Sequence, residues 1–413
     1  MTVLSDSELS SHLKKSKAAL WSVGALGDPY ALVLRGLDDP YPVYEKIRAY
    51  GPMSRSRLGT WVTADHGLAH ELSRDRRFGV RFKDGRRVAP SVPQFDNSFV
   101  GMDAPDHNRL RRIAAPAFLP RVVEQYRAEV EKLCHDLIDQ IDTSGEFDLM
   151  ETFARQVPVN VIASLFGITD ENRAQFQRFC KGLTHTLDGN LTLAAARDLS
   201  ESIEGMNELV GELIEERSAR PAGDVISRIQ KALDGDKLTT AEAVTICTML
   251  SLGGSETTVN MIGSGILALL DTPGQWDLLK NDPGLSAATV EESLRFDTPV
   301  QIQVRVAHEE VEVAGVPLAV DDVVAIINAA ANRDPAVYTD PNTFDITRVN
   351  PADHLAFSGG AHYCAGAPLA RLEGDVAFRA LAERLPGLRR AGEVKRRKSG
   401  VIRGLLEFPV KVG

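Results

Sequence analysis

The stretch Phe357-Ser-Gly-Gly-Ala-His-Tyr-Cys-Ala-Gly366 sets Cys364 among glycines, immediately before residues that read as a helix from about Gly366. Glycines let a backbone approach something large and flat, and the N–H groups of a helix start favour a thiolate. A buried thiolate wants a metal. Cys134, Cys180 and Cys247 lack that frame and read as core cysteines. Zinc held by His354, His362 and Cys364 is a poor alternative, because a fourth ligand and zinc-like spacing are missing. A second candidate is Gly253-Gly-Ser-Glu-Thr-Thr258. Two glycines followed by hydroxyl and carboxyl groups, among them Glu256 and Thr257, loosen a helix ladder. The plainer reading is a packing crossing with threonine bonded back to a carbonyl. Glu292-Ser-Leu-Arg295 is, by itself, an i, i+3 ion pair on a helix. No G-x-S-x-G elbow, phosphate-binding loop or strand-linked G-x-G-x-x-G is present.

The elements that must position these residues are mostly helical. Thr239 with Glu242 forms a capping box that starts a helix running to about Leu270, where Asp271-Thr-Pro273 stops it. Such a helix spans roughly 45 Å, enough to cross a domain. Apolar residues at helical spacing predict one face at Val122, Tyr126, Val130, Leu133, Leu137 and Ile141, and another at Phe153, Val157, Val161 and Leu165. Further helices are expected at Asp39 to Tyr50, after an Asp65 cap, at Ala287 to Phe296 and at Pro368 to Leu385. Alternation predicts strands at Ile302 to Val313, at Val320 to Asn328 and near Val401 to Val412, and a hairpin at Met53 to Thr63 turning at Gly59. Phe78 to Val100 reads as a long loop, a feature that is usually functional.

The chain has 413 residues, 43% hydrophobic and 25% charged, so it can bury a large core without staples. Its formal charge of −10 argues against a nucleic-acid binder held by phosphate contacts. Four scattered cysteines suit a reducing cytoplasm. The first 20 residues are polar and lysine-bearing, without the apolar core of a signal peptide or anchor. Val244 to Leu270 carries Glu256 and Asn260 near its middle, which excludes a membrane span.

The residues Phe357, Gly360, Cys364 and Gly366 fit F-x-x-G-x-x-x-C-x-G, the haem-ligating signature of the cytochrome P450 family, which this chain resembles. Further motifs follow in the family's order. Glu292 and Arg295 match its E-x-x-R, Pro341-Asn-Thr-Phe344 with Arg348 matches the segment completing that ion-pair cluster, and Gly253 to Thr258 resembles its central helix. Gly253 stands where alanine is common, which implies a wider pocket wall. The resemblance implies a single mainly α domain with a small β region over residues 39–413, preceded by an N-terminal extension over 1–38, with haem between a long helix and the cysteine loop. It implies haem b (iron protoporphyrin IX), with Cys364 as the iron ligand. His107, Arg111, Arg305 and His354 would bind the haem carboxylates, and Glu292, Arg295 and Arg348 would serve as scaffold.

The implied activity is a haem-thiolate monooxygenase that hydroxylates or epoxidises a hydrophobic secondary metabolite, a polyketide-type or glycosylated natural product, using O2. Glu256 and Thr257 would organise protons. Substrate contacts are expected from Phe82, Val100, Met249, Gly253, Val300, Gln301, Gln303, Val401 and Ile402. The type is the soluble bacterial, actinobacterial one, served in the cytoplasm by a separate ferredoxin and ferredoxin reductase. A rival reading rests on Gly27 to Tyr30, Trp61 to His66 and Lys395 to Arg403, which resemble P450-like auxiliary proteins that bind and activate a glycosyltransferase. In that reading the run Lys395 to Lys398 is a docking face, against the plainer reading of a solvated turn. Cys364→Ala should abolish the thiolate-type absorption spectrum, whereas alanine at Cys134, Cys180 or Cys247 should leave it intact. A normal spectrum from Cys364→Ala would sink the assignment of the ligand.

Overall fold

A computed structural model describes residues 20–88, 98–187, 192–350 and 353–413. Most of the expected polar N-terminal stretch and the Pro90 and Pro93 part of the long loop lie outside the described residues. The long helix starts at its capping box: the Glu242 N–H donates to Thr239 Oγ1 at 3.2 Å, and the Thr239 N–H donates to Glu242 Oε2 at 2.8 Å. It runs over Thr240–Asp271, 32 residues, or about 48 Å. It is buried along most of its length, so its sequence reads as broadly apolar rather than as one stripe. Helices Gln156–Phe166, Leu193–Ala219, Ser286–Phe296 and Ala367–Arg384 pack against it. They share one large core, while two smaller apolar clusters sit on the sheet.

Both long helical faces read from the sequence are interrupted. The first is a short helix Pro120–Val123, a tight turn Glu124–Tyr126 and a helix Arg127–Asp139. The second begins as a wide turn over Met150–Ala154 before the helix Gln156–Phe166. The second face is buried throughout, whereas on the first only Val130 is buried and the core is reached by Val123, Cys134 and Ile138, so periodicity marked the side and missed both the breaks and the exact stripe.

The principal sheet has strands β1 (Ser54–Arg55), β2 (Trp61–Thr63), β3 (Phe78–Gly79), β4 (Ile302–Ala307) and β5 (Val323–Ile327), in the order β1-β2-β5-β4-β3. β1 and β2 form the expected hairpin, with Gly59 at φ +88° in its turn. β2 joins β5 in parallel, Trp61 opposite Val324, and β4 runs antiparallel to β5 with Arg305 opposite Val324. The long loop therefore begins as an edge strand, Phe78 facing Ala307. The Asp65 carboxylate caps the following helix, accepting from the Leu68 N–H at 2.7 Å. From Pro29 onward the segment before residue 39 is packed into the fold. A Cβ at Gly36 would lie 2.6 Å from the Lys398 carbonyl carbon, so the two backbones touch.

Glu292 and Arg295 are both fully buried and joined by two bonds of 2.7 Å. The other three Arg295 N–H groups reach the carbonyls of Asn332 (3.1 Å), Pro341 (2.8 Å) and Thr343 (3.0 Å). Arg348 adds a second cation, its Nε 3.2 Å from Glu292 Oε2. An isolated buried carboxylate is costly, and this one is tolerated because paired cations and the Asp345 N–H, at 2.9 Å, satisfy it. The surface-pair reading of E-x-x-R is thereby replaced by a scaffold. Arg295→Ala should cost about 3 to 5 kcal/mol by leaving Glu292 short of its bidentate partner. Urea unfolding checks it, and an unchanged midpoint would contradict the buried geometry.

Candidate functional site, a recess floored by a cysteine

The cysteine loop is closed by the Cys364 N–H donating to the Phe357 carbonyl at 2.9 Å. Gly360 must be glycine: its φ is +63°, and a Cβ would stand 2.6 Å from the Ser73 carbonyl oxygen. Gly366 is different. Its φ is −83°, and a Cβ there would meet nothing closer than Cys364 Sγ at 3.9 Å, so the polypeptide alone does not demand glycine. Cys364 is accessible to solvent, whereas Cys134, Cys180 and Cys247 are buried and their thiols are pushed up by burial. The Cys364 thiol is also raised: the surrounding protein outweighs the N–H groups of Gly366 and Ala367 and the charge of Arg111. The helix-start N–H groups act in the expected direction, towards the thiolate, but burial outweighs them; a cation on the sulfur would tip the balance.

The central helix is less buried along one line, at Met249, Gly253 and Thr257, positions four residues apart within a buried helix. Nothing lies within 4 Å of a Cβ built at Gly253. The expected loosening of the ladder is absent, because helix runs unbroken through these residues. Thr257 Oγ1 donates to the Gly253 carbonyl at 2.8 Å, which leaves its oxygen lone pairs as acceptors. Glu256 is buried and faces the other way in pairing terms: Arg397 Nη2 donates to it at 2.9 Å, and Arg155 Nη1 lies 3.6 Å away. Arg397 belongs to the basic run, whose two ends, Lys395 and Lys398, stay exposed to solvent as the plainer reading expects, while Arg397 turns inward and is buried. Lys395 pairs with Glu407, Arg396 with Asp297, Arg397 with Glu256 and Lys398 with Asp38.

Three cationic or ionisable side chains converge on the cysteine loop. Arg111 Nη2 donates to the Tyr363 carbonyl at 2.5 Å, His107 lies against the His362 ring with centroids 4.4 Å apart, and Arg305 Nη2 donates to Ser358 Oγ at 3.1 Å. Arg305 is buried and forms no ion pair among the described residues; burial pulls it down to about 10, with Asp103 acting weakly in the opposite sense. His107 Nε2 is buried without a partner. His354 is differently placed: its Nδ1 accepts from the Ala356 N–H at 3.2 Å, and its Nε2 lies 3.3 Å from Glu291. Among the described residues no group of three or more His, Cys, Asp or Glu side chains can hold a metal, which removes the zinc alternative.

Of the expected substrate residues, two segments are brought together. Val300 bridges Ile402, and the Gln301 N–H donates to the Val401 carbonyl at 2.8 Å. Met249 and Gly253 share the less buried line of the central helix. Gln301 is engaged elsewhere, accepting from the Tyr44 hydroxyl at 2.7 Å and donating to the Thr298 carbonyl at 2.5 Å. Gln303 bonds Asn328 and Ser358. Phe82 stacks under Arg86, and Val100 is exposed, with no described contact joining either to the other segments. Sequence reasoning missed Arg397, Ser358 and Glu291. A buried Glu256 in an apolar helix was the signal for a cation, though not for which one.

A helical fold with an open cysteine loop and convergent unpaired cations defines a haem-thiolate protein. The model of the family described as Cytochrome P450 matches residues 43–385, and the chain belongs to that family. It is 37% identical to "Protein DesVIII" of Streptomyces venezuelae, over 98% of this chain and 94% of that one. It is 35% identical to "Polyketide biosynthesis cytochrome P450 PksS" of Bacillus subtilis, over 91% and 96%. Its fold is similar to P450BioI solved in complex with a hexadec-9Z-enoic acid ligated acyl carrier protein, with TM-score 0.82, 33% identity, and 91% and 99% of the two chains covered. The chain is therefore a cytochrome P450 monooxygenase with a haem-iron cofactor. The residues fit that group: Gly366 and Gly253 leave space where a flat ring needs it, and Arg305 and His107 lack the partners that its carboxylates would supply.

Burial alone would raise the Glu291 carboxyl, but hydrogen bonds from His354 and Arg371 more than offset it and hold it down to about 2, from 4.5. A depressed acid stabilises the fold fully above its unfolded value and loses that contribution as pH falls. The gap in urea midpoint between the native chain and Glu291→Gln should stay constant from neutral pH to about 4.5 and close between about 4.5 and 2. A gap unchanged at pH 3 would contradict this pairing.

Proposed function

We propose that this enzyme hydroxylates or epoxidises a hydrophobic polyketide-type natural product, with haem b on Cys364 and electrons from a separate ferredoxin and its reductase in the cytoplasm. The observation that carries the reading is the convergence of Arg305, Arg111 and His107 on the loop of an accessible cysteine, where a dianionic haem supplies the missing countercharge. Support for the substrate class comes from the relative named for polyketide biosynthesis. Among the described residues no helix is long and apolar enough to cross a membrane.

The bound haem supplies O2 activation, and the thiolate favours O–O cleavage. The chain's own residues bind and orient. Val300 and Ile402, joined by a backbone bridge, would supply apolar contacts to the substrate, and Gly253 leaves open space on the central helix. Thr257, its proton committed to Gly253, offers an oxygen that accepts a hydrogen bond from a group in the recess. Glu256, the neighbouring carboxylate in sequence, is held by Arg397 and Arg155.

The alternative reading, a P450-like auxiliary protein that binds and activates a glycosyltransferase, rests on the segments Gly27 to Tyr30, Trp61 to His66 and Lys395 to Arg403. Within the basic run only Arg396 and Arg397 are taken up by covered partners, Asp297 and Glu256, while Lys395 and Lys398 remain exposed in surface pairs. The absorption spectrum of the reduced, CO-treated protein separates the readings, because a haem-free helper gives no thiolate band. Thr257→Ala should leave helix and substrate binding intact while lowering the ratio of product to NAD(P)H consumed, with released peroxide accounting for the difference. General acid–base groups contribute about 100- to 10,000-fold, and substituting water makes the loss here smaller. An unchanged ratio would remove Thr257 from the proton path.

A further inference from the structure

Ser358 stands in the cysteine loop with φ +60°, a left-handed conformation that residues other than glycine, asparagine and aspartate adopt at a cost. Its neighbour Gly360 takes the same region as a glycine. The strain at Ser358 is matched by what its hydroxyl does. Oγ accepts from Arg305 Nη2 at 3.1 Å and donates to Gln303 Oε1 at 2.5 Å. Gln303 Nε2 in turn donates to Asn328 Oδ1 at 2.9 Å. Between a guanidinium, which can only donate, and an amide oxygen, which can only accept, a hydroxyl is the smallest group able to bond both.

Arg305 has one other anchor, the Val304 carbonyl, 2.9 Å from Nη1. No carboxylate pairs with it among the described residues, so its orientation rests on β4 itself and on Ser358. Asn328, at the end of the relay, begins the turn that follows β5, and that strand is paired along the length of β4. The relay therefore ties the cysteine loop to both central strands of the sheet through side chains, across 55 residues between Ser358 and Gln303 and 25 between Gln303 and Asn328.

We propose that Ser358 is a positioning residue for haem retention: its hydroxyl, braced by Gln303 and Asn328, fixes the Arg305 guanidinium so that its remaining N–H groups meet a haem carboxylate. This rests on the reading of Arg305 as a haem-carboxylate ligand. Both described bonds of the hydroxyl go to protein groups, Arg305 and Gln303, so it acts through Arg305.

Haem transfer from the purified holoenzyme to excess apomyoglobin measures retention without turnover. Arg305→Gln tests the underlying reading and should speed transfer; no change would overturn that reading and the proposal together. Ser358→Ala keeps the strained backbone and loses the hydroxyl, and Ser358→Gly loses both. Each should speed transfer roughly tenfold, the size expected for one hydrogen bond to a charged group. Ser358→Gly relieves strain, so faster loss from that variant separates hydroxyl from backbone. Gln303→Leu should speed transfer less, and the double variant Ser358→Ala with Gln303→Leu should be no worse than Ser358→Ala, because both cut one chain. The haem reduction potential should move negative in the Ser358 variants as the positive charge loosens, a readout that general destabilisation does not set. A variant that emerges without haem but with native helix content by circular dichroism counts as fast release. Transfer unchanged in both Ser358 variants while Arg305→Gln is fast, or strictly additive effects of Ser358 and Gln303, would overturn the proposal and leave the role of Arg305 standing.

Discussion

A buried pair of opposite charges governs how the cysteine is presented. Arg295 spends all five of its N–H groups on Glu292 and on three carbonyls from residues 332–343. Asn332, whose carbonyl it holds, uses its own side-chain oxygen to accept the Leu355 N–H at 2.7 Å. Leu355 accepts the Ser358 N–H, and Phe357 accepts the Cys364 N–H, each at 2.9 Å. Hydrogen bonds and the short chain segments between them thus run from the E-x-x-R helix to the backbone of the cysteine. Such a pair contributes little net stability, since desolvation opposes attraction, but its geometry admits few alternatives. Its product is position.

The recess has the opposite electrostatic character. Around the cysteine the charges lack partners: Arg305 is held below its ordinary basicity, and His107 is left with an idle buried nitrogen. A polypeptide folding for its own sake would not collect these groups, because each costs free energy that nothing nearby returns. Bound haem binds the folded form alone and so stabilises it by mass action. Scaffold and recess therefore divide the work, one satisfied internally and one completed by its cofactor.

What could be read in the sequence was local. The capping box, the Asp65 cap, the Gly59 hairpin and the E-x-x-R spacing each depend on residues within one or two turns, and each stands in the structure. What could not be read was long-range pairing. Nothing local says that Arg397 meets Glu256, 141 residues away, or that Gln301 is consumed by Tyr44, 257 residues away. The basic run looked like a solvated cluster because four cations in a row repel, and only the fold supplies four separate acids. The helix start beside Cys364 was visible, but the protein mass that outweighs it was not. The two broken helices show the same limit, since an apolar stripe continues across a tight or wide turn.

The bond between Glu256 and Arg397 also has a temporal side. During synthesis the central helix emerges with its carboxylate long before its partner exists. At cellular elongation rates the intervening 141 residues take roughly 7 to 28 s to be made. Throughout that interval the central helix carries an acid awaiting its principal cation. Its native charge pairing is completed only once the segment that holds Arg397 has been made.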